Sequence, residues 1–169
     1  MDGFYVNVST FSLTHMHVGL SLAGVFSGFV VAFGLLKADR LDNWTMVFLL
    51  STVLTSVTGF FFPFNGFTPA DGVGIVSLIV LAVAIYARYG RHLAGAWRKT
   101  YVITAVLALY LNVFVLVVQL FQKVPELKAL APTQSEPPFA IAQGIVLALF
   151  VALGVFGVRR FRIEQVGSP

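Results

Sequence analysis

Five long intervals of this chain contain no Asp, Glu, Lys or Arg: Asp2 to Lys37, Asp42 to Asp71, Asp71 to Arg88, Lys99 to Lys123 and Glu136 to Arg159. A helix rising 1.5 Å per residue needs ~20 apolar residues to cross a bilayer. Four intervals meet that length outright, and the third does so if Arg88 snorkels toward the headgroups on its long stem. We therefore expect five spans, near 13–36, 44–63, 70–89, 100–122 and 138–158, forming an all-α, polytopic bundle in a single integral membrane domain over residues 1–169. Composition agrees. The chain is 58% hydrophobic and 11% charged, against about 25% charged in an ordinary soluble domain, and a chain this short has no interior large enough to hide that much apolar surface. The first interval lacks a positive n-region and is too long for a signal-peptide core, so it reads as a retained span.

The distribution of the basic residues sets the expected orientation. Nine of the eleven (Lys37, Arg40, Arg88, Arg91, Arg98, Lys99, Arg159, Arg160 and Arg162) fall in alternate connections or the tail, and only Lys123 and Lys128 in the opposite set. The positive-inside rule then places the N-terminus outside and the C-terminus in the cytoplasm. In this light the net charge of +4 reports topology, and no nucleic-acid partner is expected. The loop "RYGRHLAGAWRK" (Arg88 to Lys99) reads the same way, with Trp97 as an interfacial anchor rather than an anionic-lipid patch. "TPAD" (Thr68 to Asp71) and "SEPPF" (Ser135 to Phe139) carry a capping hydroxyl, a first-turn Pro and an acid at the starts of the third and fifth spans. Asp42 or Asn43 is expected to cap the second, with Trp44 at the interface. "KVPELKALAPTQSEPP" is the only long external connection, and its prolines argue against a separate domain.

Helices in lipid associate through small residues and a few hydrogen bonds, because burial from water contributes nothing there. His17, Ser21, Gly24 and Gly28 share one face of the first span, and Ala140, Gly144, Ala148 and Ala152 form a stripe on the fifth. Ser51, Thr52, Thr55, Ser56, Thr58 and Gly59 let the second span cross-bond to neighbours. Polar residues within spans are costly unless paired, which singles out Asn112, with Gln119 two turns on, and Gln143. No acidic or basic residue is expected in mid-membrane, which argues against a proton pump or charge-coupled transporter.

The two histidines of "THMHVGLSLAGVFSG" fall in the first outer turn of the first span. Residues two apart on a helix point about 200° apart, so His15 and His17 cannot both ligate one ion. His92 lies across the ~30 Å core, so one chain cannot supply a bis-histidine haem. No cysteine is present, and no chelating spacing points to a metal site. We expect His17 to make a buried polar contact with Gln119, Gln143 or Glu136. His15 is read as interfacial, together with Trp44, Asp71 and Trp97. No nucleophile elbow, HExxH, phosphate-cradling Gly loop or carboxylate pair is found, so no catalytic residue is assigned.

The stretches "WTMVFLLSTVLTSVTGFFFPF" (Trp44 to Phe64), "LYLNVFVLVVQLF" (Leu109 to Phe121) and "LKALAPTQSEPPF" (Leu127 to Phe139) resemble an uncharacterised family of small multi-pass alphaproteobacterial inner-membrane proteins. The resemblance implies a bacterial inner membrane and carries over no catalytic residue. The expected function is that of an accessory or assembly subunit acting through helix–helix contacts, with a membrane-protein partner or a second copy in the lipid bilayer. The alternative is a carrier or redox module for a quinone or lipid near the outer face, using His17, Asn112, Gln119, Glu136 and Gln143. A haem or metal protein is the third reading, and it requires ligands from a partner chain. No cofactor is assigned.

Overall fold

The computed structural model describes residues 2–62 and 68–161, with side chains from Phe11 onward; it is 85% helix, and no strand occurs among the described residues. Helix α1 spans Asp2–Lys37, α2 Asp42–Gly59, α3 Pro69–Ile85, α4 Trp97–Lys123, α5 Pro125–Leu130 and α6 Pro137–Arg160. A π-helical turn, Tyr86–Gly90, continues α3. Four stretches, Phe11–Lys37, Pro69–Gly90, Trp97–Lys123 and Pro137–Arg160, are long and apolar enough to cross a membrane.

α2 is the exception. Its 18 residues give about 27 Å of helix, and it is not among the four stretches long and apolar enough to cross. The helix ends at Gly59, short of the expected boundary at 63, which lies outside the described residues. Phe60, Phe61 and Phe62 leave it through turn hydrogen bonds to the carbonyls of Val57, Thr58 and Gly59. The hydroxyls are turned inward. Thr45, Ser51, Thr52, Thr55 and Thr58 are all buried, and Ser51 and Thr55 donate to their own backbone at Val47 O (2.7 Å) and Ser51 O (2.8 Å). Such back-bonding satisfies a hydroxyl within its own helix, so only Thr45, Thr52 and Thr58 make the cross-helix bonds described below.

α1 starts at Asp2, eleven residues before the expected span, because helix continues through any segment whose backbone bonds are met, whether or not it is apolar enough for lipid. α4 is the centre of the assembly: it packs against α1, α3, α5 and α6. Tyr101, Val102, Ala105, Ala108 and Leu109 of α4 meet Leu35 of α1, Phe48 of α2 and Leu81 of α3 in one buried core. α1 approaches closely where its side chains vanish. A Cβ at Gly24 would stand 3.1 Å from Thr52 Oγ1 and 3.3 Å from Asn112 Nδ2, and one at Gly28 2.5 Å from Leu109 Cδ1. The expected His17–Ser21–Gly24–Gly28 face is therefore the seam of α1 against α2 and α4.

The stripe expected on the fifth span does not behave that way. Ala140, Gly144, Ala148 and Ala152 are exposed, and a Cβ at Gly144 meets nothing within 4 Å. α6 packs instead through Phe150 and Gly157, its only buried residues. Periodicity showed which residues share a face, and the packing of α6 on α4 turned that face outward.

Two capping expectations are corrected as well. Leu41, not Asp42 or Asn43, occupies the N-cap of α2, with no side-chain cap bond, because Asp42 is engaged elsewhere. Glu136, not Ser135, is the N-cap of α6. Its carboxylate turns back to accept from Thr133 Oγ1 (2.9 Å), Thr133 N (3.2 Å) and Ser135 N (3.1 Å). At α3 the capping box forms as read, with Asp71 N donating to Thr68 Oγ1 (3.3 Å) and Thr68 N to Asp71 Oδ2 (2.8 Å). The long connection also holds a helix, the six-residue α5, whose first position is Pro125, as suits a residue with no N–H to give.

Candidate functional site

The five polar residues singled out from the sequence are placed apart in their bonding. His17 meets Thr58 of α2, not Gln119, Gln143 or Glu136, at 3.0 Å between Nδ1 and Oγ1. The Thr58 hydroxyl already donates to Thr55 O (3.1 Å), so His17 Nδ1 is assigned as the donor. The Phe62 ring stands edge-on to the imidazole at 5.3 Å. Asn112 is buried and donates from Nδ2 to Thr52 Oγ1 (3.1 Å), tying α4 to α2 beneath Gly24 of α1. Gln143 donates to Phe114 O (3.2 Å), and its own Oε1 is buried without a partner among the described residues. Gln119 is half-buried. Among the described residues none of the five hydrogen-bonds to another.

The interfacial residues are also settled individually. His15 is exposed, with Nδ1 2.8 Å from Phe11 O, and its ring lies 4.0 Å from that of Phe11. Trp44 packs edge-on against Phe26 at 5.9 Å. Trp97 packs against Tyr86 at 5.2 Å, with the Arg91 guanidinium 5.7 Å above it.

Sequence reading missed the most unusual group, Arg88. It does not snorkel. It is 2% exposed, in the π turn, at the end of the molecule where the α1–α2 loop and the start of α4 meet. Nη2 donates to Arg40 O (2.8 Å) and to Asp42 Oδ1 (2.5 Å), and the guanidinium carbon lies 5.0 Å from the centre of the Tyr101 ring. The Tyr101 hydroxyl donates to Thr45 Oγ1 (3.4 Å), whose own proton goes to Arg40 O (3.2 Å), so one polar network joins α4, α2, the loop and the π turn. Arg88 Nε and Nη1 are buried and find no acceptor among the described residues. A buried donor left unmet costs roughly 1–3 kcal/mol, more when charged. Ser77, Leu81 and Ala84, the buried residues of α3, continue at helical spacing to Arg88, but in a uniformly apolar run the sequence does not mark that face as the buried one.

Backbone strain collects at the same end. Of five non-glycine residues with positive φ among the described residues, Ala38 (60°) and Leu41 (40°) lie in the α1–α2 loop and His92 (49°) and Leu93 (61°) follow the π turn. Such conformations cost of order 1–3 kcal/mol each and gather at clamps and switches, and π turns recur at functional positions. Nearby, Arg98 donates to the carbonyls of Val158 and Phe161, covering the C-terminal end of α6 where a cation is favoured.

Between α1, α4 and α6 lies an open groove of about 330 Å³ walled by Phe29, Phe33, Val113, Val146, Phe150 and Leu153. It contains none of the five polar candidates. Among the described residues no three His, Asp or Glu side chains converge as a metal ion would require. No family model matches the chain, and neither a characterised protein nor a solved structure matches it.

Proposed function

We propose that this chain is a five-span protein of the bacterial inner membrane, N-terminus outside and C-terminus cytoplasmic, that acts as an accessory or assembly subunit through helix–helix contacts. The observation that carries the reading is the nakedness of α6. Only 6% of its membrane-length window is buried, against 39% for α1 and for α4, and the face left open carries Ala140, Gly144, Ala148 and Ala152. Small residues on a lipid-facing helix allow close backbone approach, and among the described residues none packs against that face. Counting α2 as a span is supported by its inward-turned hydroxyls, which leave Val47, Leu50, Leu54 and Val57 exposed.

Gentle detergent extraction at native expression, followed by affinity purification, tests the subunit reading. A stoichiometric membrane partner or a second copy is expected, and Gly144→Leu with Ala148→Leu should release it without lowering the melting of the chain itself. A single, partner-free species would sink the proposal.

The groove favours a second reading, a carrier of a hydrophobic molecule. Val146→Trp should then abolish retention of co-extracted lipid or quinone without disturbing the α6 partner.

A further inference from the structure

Two arginines converge on one oxygen. Arg88 Nη2 lies 2.5 Å and Arg40 Nε 3.6 Å from the same Asp42 Oδ1. One carboxylate thus faces two guanidinium groups, and the balance of that contact is a surplus positive charge. The surroundings add to it: Lys37, Arg91, Arg98 and Lys99 flank the same loops, with Asp39 as the only further acid. A guanidinium has five N–H donors in a rigid fork. Two of those on Arg88 are used, and those of Nε and Nη1 have no acceptor among the described residues. Asp42, by contrast, has a side chain 68% exposed, so the contact can be reached from outside the bundle. Strained residues flank the contact on both sides, Ala38 and Leu41 in the α1–α2 loop and His92 and Leu93 after the π turn.

We propose that Arg88 and Arg40 form a binding site for a phosphate-bearing anion, and that Asp42 occupies, in the free protein, the place a phosphate oxygen takes in the complex. A carboxylate satisfies one arm of the fork. A phosphate brings more oxygens in a geometry that guanidinium groups bind bidentately, so one oxygen replaces Asp42 Oδ1 at Nη2 while another meets Nη1. The exchange trades one negative charge for one or more, in a patch already short of them. The phosphate can belong to the headgroup of an anionic phospholipid, since a basic pocket at a membrane face is where such headgroups bind, or to a phosphate ion in solution. This site is independent of the α6 partner: it lies on other elements, and loss of one leaves the other testable.

The test is titration of the purified full-length chain in detergent, read by melting temperature and by native mass spectrometry. The probes are short-chain phosphatidylglycerol, short-chain phosphatidylcholine and inorganic phosphate. Stabilisation by phosphatidylglycerol alone assigns the site to a headgroup, and stabilisation by inorganic phosphate as well assigns it to phosphate itself. Arg40 is half-exposed, so Arg40→Gln should fold and bind about tenfold more weakly, as expected for one partner of a charged contact. Asp42→Asn is the decisive variant. It removes the competing charge and should bind about tenfold more tightly, because like charges facing each other oppose association. Lowered melting of Asp42→Asn is expected on either reading, and an ion pair with only a structural role predicts that its probe affinity is unchanged. That result, or equal stabilisation by phosphatidylcholine, or none by any probe, overturns the proposal.

Discussion

An added methyl at Gly28 would stand 2.5 Å from Leu109 Cδ1 and 2.9 Å from the Phe48 ring, whereas one at Gly144 meets nothing within 4 Å. The same substitution should therefore have opposite signs. Gly28→Ala overpacks the α1 seam and should lower stability by about 1–3 kcal/mol, while Gly144→Ala should raise it by about 0.5–1 kcal/mol through helix propensity. Unfolding in mixed micelles separates the two. Arg88 and Asp42 invite a second asymmetry. Removing Asp42 strands a buried cation, and Asp42→Ala should cost about 3 kcal/mol. Arg88→Met removes the charge and its unmet donors together, leaving Asp42 in solvent, and should be near neutral. If both changes cost the same, the buried guanidinium is stabilised by something besides Asp42. The seam glycines were legible from spacing alone. Arg88 was not, because an arginine at the end of an apolar run looks identical whether it snorkels or turns inward. What decides is a carbonyl and a carboxylate 48 and 46 positions away.

At the scale of elements, the apolar helices follow from the charge-free intervals, and the α3 cap from four residues whose bonds are all local. Features that depend on neighbours were read less well. The α6 stripe was assigned to the interior although it lies on the surface, and the π turn has no periodicity to betray it. The start of α6 illustrates how a local rule is redirected. Glu136 was expected near the helix dipole, and it is, but its carboxylate closes the preceding turn. Burial works against its charged form, yet hydrogen bonds from the Thr133 hydroxyl and from the N–H groups of Glu136, Thr133 and Ser135 outweigh that and hold its carboxyl below the usual carboxylate range. A depressed folded value means the stabilisation is in place above the unfolded pKa of about 4.3 and is lost as pH falls through the folded one. Protection of the Thr133 and Ser135 amides, their exchange compared with the intrinsic rate at each pH, should therefore fall on acidification below about pH 4, and Glu136→Gln should show little protection at any pH. Protection that stays constant across that range in the parent chain would show that the turn is held by its backbone alone.

For the whole molecule, the Arg88 contact constrains how often the chain crosses the bilayer. Arg40 and Asp42 follow α1, and Arg88 ends the stretch that began with α3, yet the three are in contact. If α2 lay along the surface, α1 would deliver Arg40 to one face and α3 would carry Arg88 to the other, about 30 Å away. A crossing by α2 brings them together, which supports the five-span proposal although α2 is short and hydroxyl-rich. The chain has no native cysteine, so single cysteines report its sidedness without background. At Lys37, Ala94 and Ala129, all exposed, the five-span reading with a cytoplasmic C-terminus expects Ala129→Cys to react with an impermeant maleimide in intact spheroplasts. Lys37→Cys and Ala94→Cys should react only after the membrane is opened. A four-span chain separates Lys37 from Ala94, so opposite labelling of those two would break both the count and the contact on which the phosphate site is built. Inverted labelling of all three would keep both and reverse the orientation, moving the basic end to the outside.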